Sequence, residues 1–103
     1  MSTNCTIKIQ GVNYAKIYKH WDGYPEATLH WLENFNKFFY EKRGDDPEYK
    51  FAQLLRSSIN DSDVYGLDKS KVTGWGVIDY HAETGAEYEY NLKTDGTVVY
   101  KEI

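Results

Sequence analysis

The 103-residue chain contains a single cysteine, Cys5, and only two prolines, Pro25 and Pro47. One cysteine excludes an internal disulfide. Its place beside Thr6 and Ile7 in an alternating run reads as a small core residue and not as a reactive nucleophile. No run approaches the roughly 18 apolar residues of a membrane span, and Met-Ser-Thr-Asn at the start lacks a basic and an apolar segment. Together with the lone thiol, these absences point to a cytoplasmic, reducing environment. Basic residues are also few: 12 Lys and Arg stand against 16 Asp and Glu, a formal net charge of -4. That mild acidity argues against direct nucleic-acid binding, which rests on basic patches that displace counterions. It leaves room for a protein that meets a basic surface on a partner.

Reaction signatures are missing as well. The three histidines, His20, His30 and His81, are widely separated. There is no His-x-x-x-His pair, cysteine pair, P-loop or nucleophile elbow. The expectation is therefore no catalytic residue, no metal and no cofactor. What the chain has in excess is aromatic area: 17% of its residues, with ten Tyr and three Trp. Such side chains join apolar bulk to a polar handle and suit half-buried sheet faces and interfaces alike.

Length allows one domain over residues 1–103, with one modest core. Alternation over 6–10 and 14–19 around Gly11-Val12-Asn13 predicts a β-hairpin. Pro25 followed by Glu26 opens a helix over 25–42. Its apolar stripe comprises Trp31, Leu32, Phe35, Phe38 and Phe39, and Arg43-Gly44 ends it. Asp45-Asp46-Pro47-Glu48 is a second start signal, for a helix over 47–59 carrying Phe51, Leu55 and Ile59 on one side. Val64, Tyr65 and Leu67 suggest a short apolar turn before a loop over 68–73. Strands over 74–80, 87–93 and 97–101 follow, with Glu83-Thr84-Gly85 and Asp95-Gly96 as the turns between them. The order β-β-α-α-β-β-β indicates an α+β fold: one antiparallel sheet of about five strands with two helices packed on one face. The faces of Tyr14 and Tyr18 and of Tyr88 and Tyr90 compete for the core, and alternation leaves that choice open.

Three places could carry recognition. At the corner between hairpin and helix stand His20, Trp21, Asp22, Tyr24 and Glu26. Here an imidazole beside a carboxylate, two rings with stacking faces and a helix start could meet a planar or anionic ligand. The plainer account is a turn at Asp22-Gly23 with the rings plugging the core. A second place is the polar side of the second helix, where Lys50, Gln53 and Arg56 follow Arg43, Asp45 and Asp46; a solvated helix face explains the same letters. The third is Gly74-Trp75-Gly76 with Asp79 and His81, where glycines flanking Trp75 allow close approach. A bulge at an edge aromatic accounts for it equally.

The run Tyr18-Lys19-His20-Trp21-Asp22-Gly23-Tyr24-Pro25-Glu26 resembles a His-Trp-Asp-Gly-Tyr-Pro signature of small uncharacterised proteins of bacteria, archaea and phages. The segment from Arg43 to Arg56, with Gly44-Asp45-Asp46-Pro47 near its start, is similar to part of the same pattern. No activity attaches to that family. The resemblance implies that the corner is a family feature and that the origin is a phage or mobile element. The leading expectation is a non-enzymatic binding module, of the kind that antagonises a host defence protein. Alternatives are a nucleotide-like small-ligand binder or sequestering protein, a small hydrolase acting through His20 and Asp22, and a structural subunit. The partner is then another protein or a small anionic or planar ligand, with a homodimer left open.

Overall fold

A computed structural model describes residues 3–57 and 74–103. The chain forms β1 (Cys5–Ile9), β2 (Ala15–Lys19), α1 (Pro25–Arg43), α2 (Pro47–Ser57), β3 (Trp75–Asp79), β4 (Tyr88–Leu92) and β5 (Val98–Glu102). The β-β-α-α-β-β-β order and the α+β class are as the residue pattern indicates. Ile59, the short turn at Val64, Tyr65 and Leu67, and the loop over 68–73 lie outside the described residues.

The five strands make one sheet in the order β3-β2-β1-β4-β5. Three of its four junctions are antiparallel, but that of the central strand β1 with β4 is parallel, with Ile7 opposite Tyr90 and Ile9 opposite Leu92. The expected wholly antiparallel sheet is therefore corrected to a mixed one. The reason is apolar area. Tyr88, Tyr90 and Leu92 give β4 a fuller apolar face than β3 has, and β4 takes the central place beside β1. β3 is left to pair with the outer side of β2 at the edge. Glu83-Thr84-Gly85 consequently does not turn a hairpin. Residues 80–87 instead run back across the sheet as a strap, tied at its ends by Tyr80 N–H to the Tyr14 carbonyl and Glu87 N–H to the Asn4 carbonyl.

Cys5, Ile7, Ile9, Ile17, Tyr90 and Leu92 share the face that the helices cover, and all are buried. Leu32 of α1, Leu54 of α2 and Val12 complete the buried cluster, with Leu29, Phe35, Phe51 and Trp75 packed at its margin. So Tyr90 takes the core, and Tyr18, opposite Thr6, lies on the other face. That face carries charge. Lys8 bonds Glu89 at 2.8 Å, Lys101 approaches the same carboxylate at 3.4 Å, and Lys8 also lies over the Tyr80 ring. Burial pushes the Glu89 carboxyl up, but the Lys8 hydrogen bond and charge, joined by Lys101, outweigh it and hold the group below its ordinary value. Lys16 reaches the strap, donating to the Ala82 carbonyl at 2.8 Å.

The helices begin and end where local chemistry dictates. Pro25 occupies the first turn of α1, and the Tyr24 carbonyl accepts from the N–H groups of Ala27 and Thr28. Gly44 at φ 67 ends the helix, its N–H bonded to the Tyr40 carbonyl. A left-handed angle there is cheap only for a residue without Cβ.

Two predictions follow from the core. The Tyr90 hydroxyl donates to the Gly23 carbonyl at 2.6 Å in the interior. Tyr90→Phe leaves that carbonyl unpaired and should cost about 1–3 kcal/mol in urea unfolding; a variant as stable as wild type would show the bond to be dispensable. Burial pushes the Cys5 thiol up to about 12 against the opposing charge of Lys19. The thiol should resist iodoacetamide at pH 8 in the folded chain and react once urea unfolds it, and prompt alkylation of the native protein would contradict its placement.

Candidate functional site

The corner is built by backbone more than by side chains. Gly23 is buried, and a Cβ on it would stand 2.8 Å from Cys5, so only glycine lets the turn lie on β1. Asp22 adopts φ 58, a left-handed angle that aspartate tolerates better than most residues. Its carbonyl accepts from both the Thr28 hydroxyl and the Lys19 ammonium. Lys19 also reaches the Thr28 hydroxyl at 3.0 Å, and burial lowers its pKa. The inward-facing groups of the corner are therefore spent on holding β2, α1 and β4 together. Outward lie His20, Trp21, Asp22, Tyr24 and Glu26, all exposed. The His20 ring packs edge-on against Tyr18 at 4.7 Å, and the Trp21 ring lies on Gly74, where a Cβ would come within 2.5 Å of it.

A concave site exists elsewhere. The link over 44–46 sets the last turn of α1 beside the first turn of α2. Between them runs a groove of about 380 Å³, floored by Phe35, Phe38, Phe39 and Tyr49 and rimmed by Lys42, Arg43 and Gln53. Phe38 is 61% exposed and Tyr49 40% exposed. Arg43 lies over the Tyr49 ring at 4.4 Å and bonds Asp46 at 3.2 Å, while Lys42 lies over Phe38 at 5.5 Å. Gln53 donates to the Tyr49 hydroxyl at 2.9 Å. The rings form a continuous ladder: Trp75 to Trp31 at 5.8 Å, Trp31 to Phe35 at 6.2 Å, Phe35 to Phe39 at 6.2 Å, Phe39 to Tyr49 at 5.8 Å. Since Trp21 rests on the residue before Trp75, the aromatic band extends from the corner to the groove.

This arrangement redistributes the residues singled out by sequence. Arg43 and Gln53 meet in the groove, and Trp75 and Trp21 stand at the far end of the same band. Arg56 is exposed but does not line the groove. Lys50 leaves the solvated helix face altogether, at 1% exposure. Its ammonium donates to the Lys93 carbonyl at 3.3 Å, and the Asn36 amide donates to the carbonyls of Lys93 and Thr97 at 3.0 and 2.7 Å. Helical spacing could not see this, because the β4–β5 turn that receives Lys50 lies over forty residues away in sequence. Sequence reasoning also missed the groove floor. Phe35 at the core margin and Phe39, 5% exposed, cover the sheet as their spacing implies, whereas Phe38 turns to the groove. The available signal was width: Trp31, Leu32, Phe35, Phe38 and Phe39 cover more of the helix than one sheet contact can bury, and Trp31 and Phe38 remain outside.

Chemically, the groove offers apolar area, ring faces and two cations, which is equipment for binding. Among the described residues no group of three His, Cys, Asp or Glu could hold a metal ion. His81 is exposed, its N–H bonded to the Asp79 carboxylate, and His30 pairs with Asn34 on α1. No protein-family model, curated protein or solved structure matches the chain.

Lys50 yields a prediction. Burial lowers its pKa below 10.5, with Asp45 and Asp95 opposing the shift. In the window just below 10.5 the unfolded chain therefore holds more protons, and this group's contribution to stability rises with pH there. Lys50→Met keeps the packing and removes the buried charge. It should be neutral or stabilising by roughly 0–3 kcal/mol at pH 7, with the advantage shrinking as pH approaches that of the free amine. A large loss at neutral pH would show the ammonium to be required.

Proposed function

We propose that the protein is a non-enzymatic recognition module that binds another protein through the aromatic band on α1 and the groove it shares with α2. The observation that supports this most directly is the groove itself, where rings on adjoining turns of two helices remain open to solvent beside a core with ample apolar material. Leaving Phe38 61% exposed forgoes much of the roughly 1.5–3 kcal/mol that full burial of such a side chain contributes, and Tyr49 forgoes a smaller share. Contact with a partner recovers that area, and buried aromatic and arginine side chains are the residues that dominate such contacts. A stable interface covers about 800 Å² on each side; the band from Trp21 through Trp31 to Tyr49 extends the contact beyond the groove.

The test is a pair of single variants. Phe38→Ser alters an exposed ring, so stability should change by no more than about 0.5 kcal/mol. Capture of the partner from a host lysate by the immobilised chain should fall at least about tenfold, a loss of hot-spot size. His81→Ala, on the strap across the sheet face that the helices do not cover, should leave capture intact. If wild type retains nothing that the Phe38→Ser chain does not, the groove is not a recognition surface.

A further inference from the structure

We infer that the α1–α2 groove takes an acidic segment of a partner protein, seating a bulky apolar side chain on the Phe39–Tyr49 floor and a carboxylate between Lys42 and Arg43. The inference rests on the recognition reading above and adds the chemistry of what is recognised.

Charge is the first argument. The chain as a whole carries -4, yet the residues lining this groove include two cations and no carboxylate. Among the described residues Asp46 is the one acid bonded to either cation, and it takes Arg43 at 3.2 Å in an exposed pair. A surface pair of that kind is worth roughly 0–1 kcal/mol and yields readily to a better acceptor.

Orientation is the second. Contact with Tyr49, 4.4 Å from the guanidinium carbon to the ring centroid, keeps Arg43 and its N–H donors on the groove rim. Arginine carries five such donors in a plane, matched to both oxygens of a carboxylate. Lys42 over Phe38 supplies a second positive charge on the same rim. Gln53 donates its amide nitrogen to the Tyr49 hydroxyl, and its oxygen, without a hydrogen bond among the described residues, can accept an N–H from an incoming backbone. One apolar anchor, one carboxylate and one backbone donor are the complement of these groups.

Extent is the third, and it selects a polypeptide over a small molecule or a nucleic acid. From Phe38 to Trp31 the exposed band follows α1 for about 10 Å at 1.5 Å per residue. Beyond Trp31 it continues to Trp75. A segment several residues long can follow that track. Nucleic-acid binding by contrast is supported by about 6–10 phosphate contacts, and this rim offers two cations.

The experiment is selection of a displayed random dodecapeptide library on the immobilised full chain, with depletion on the Phe38→Ser chain. The enriched sequences should combine a large aliphatic or aromatic residue with Asp or Glu. A synthetic copy of the best should bind about tenfold more weakly to Lys42→Gln with Arg43→Gln, the loss expected for one charge-assisted contact. Lys42→Gln alone, which breaks no ion pair among the described residues, serves if the double variant unfolds. Enriched peptides that are basic or uncharged, or that ignore both charge variants, overturn the acidic specificity while leaving the recognition reading intact. Failure to enrich anything over the Phe38→Ser chain overturns both. Displacement of an enriched peptide by a single-stranded oligonucleotide at equal concentration also overturns the inference.

Discussion

The parallel pairing of β1 with β4 is the constraint on which the rest of the structure depends. β3 finishes at the opposite end of the strands from where β4 must begin, with Asp79 opposite Ala15 and Tyr88 opposite Cys5. A parallel neighbour requires the chain to return across a sheet face before it starts again. The helices already fill one face, so residues 80–87 return over the other, where Lys16 meets the Ala82 carbonyl and Lys8 the Tyr80 ring. One apolar choice, Tyr90 and Leu92 beside Ile7 and Ile9, thus decides what covers each side.

The same choice anchors the corner. Tyr90 is large enough to fill the core and long enough for its hydroxyl to reach the Gly23 carbonyl. Burial also pushes that hydroxyl's pKa up, as expected for a phenol that acts only as a donor in an apolar setting. The turn at Asp22 and Gly23 is held from three directions: by Tyr90 from β4, by Lys19 from β2 and by Thr28 from α1. A corner bound so tightly through its backbone can leave His20, Trp21 and Tyr24 directed outward without loss of order.

At the other end, polar burial does comparable work. Asn36, on the core side of α1, donates to both Lys93 and Thr97, fixing the β4–β5 turn under the helix. Lys50 joins at the same carbonyl, drawing the first turns of α2 down onto that turn. The groove lies just outside these contacts. Its shape follows from α1 stopping at Gly44 and α2 restarting at Pro47, and its exposure follows from α1 carrying more aromatic width than the sheet can accept.

Much of this was legible in the residues. Alternation located β1, β2 and β4, Asp95-Gly96 marked the turn into β5, Pro25 and Pro47 located both helix starts, Gly44 the stop between them, and the lone thiol of Cys5 its burial. Of the residues along the aromatic band and groove, Arg43, Gln53, Trp21 and Trp75 could be singled out, but as members of separate places. Tertiary structure decided the rest. Alternation says which side chains share a face of a strand and nothing about which strand lies beside it, so the parallel junction and the strap were invisible. Helical spacing gives the direction of Lys50 but not what stands there, and a lysine stem is apolar enough to enter a core once a distant carbonyl receives its ammonium. The groove belongs to that second class, because a cavity is a relation between two helices, and no local pattern in either one encodes their separation.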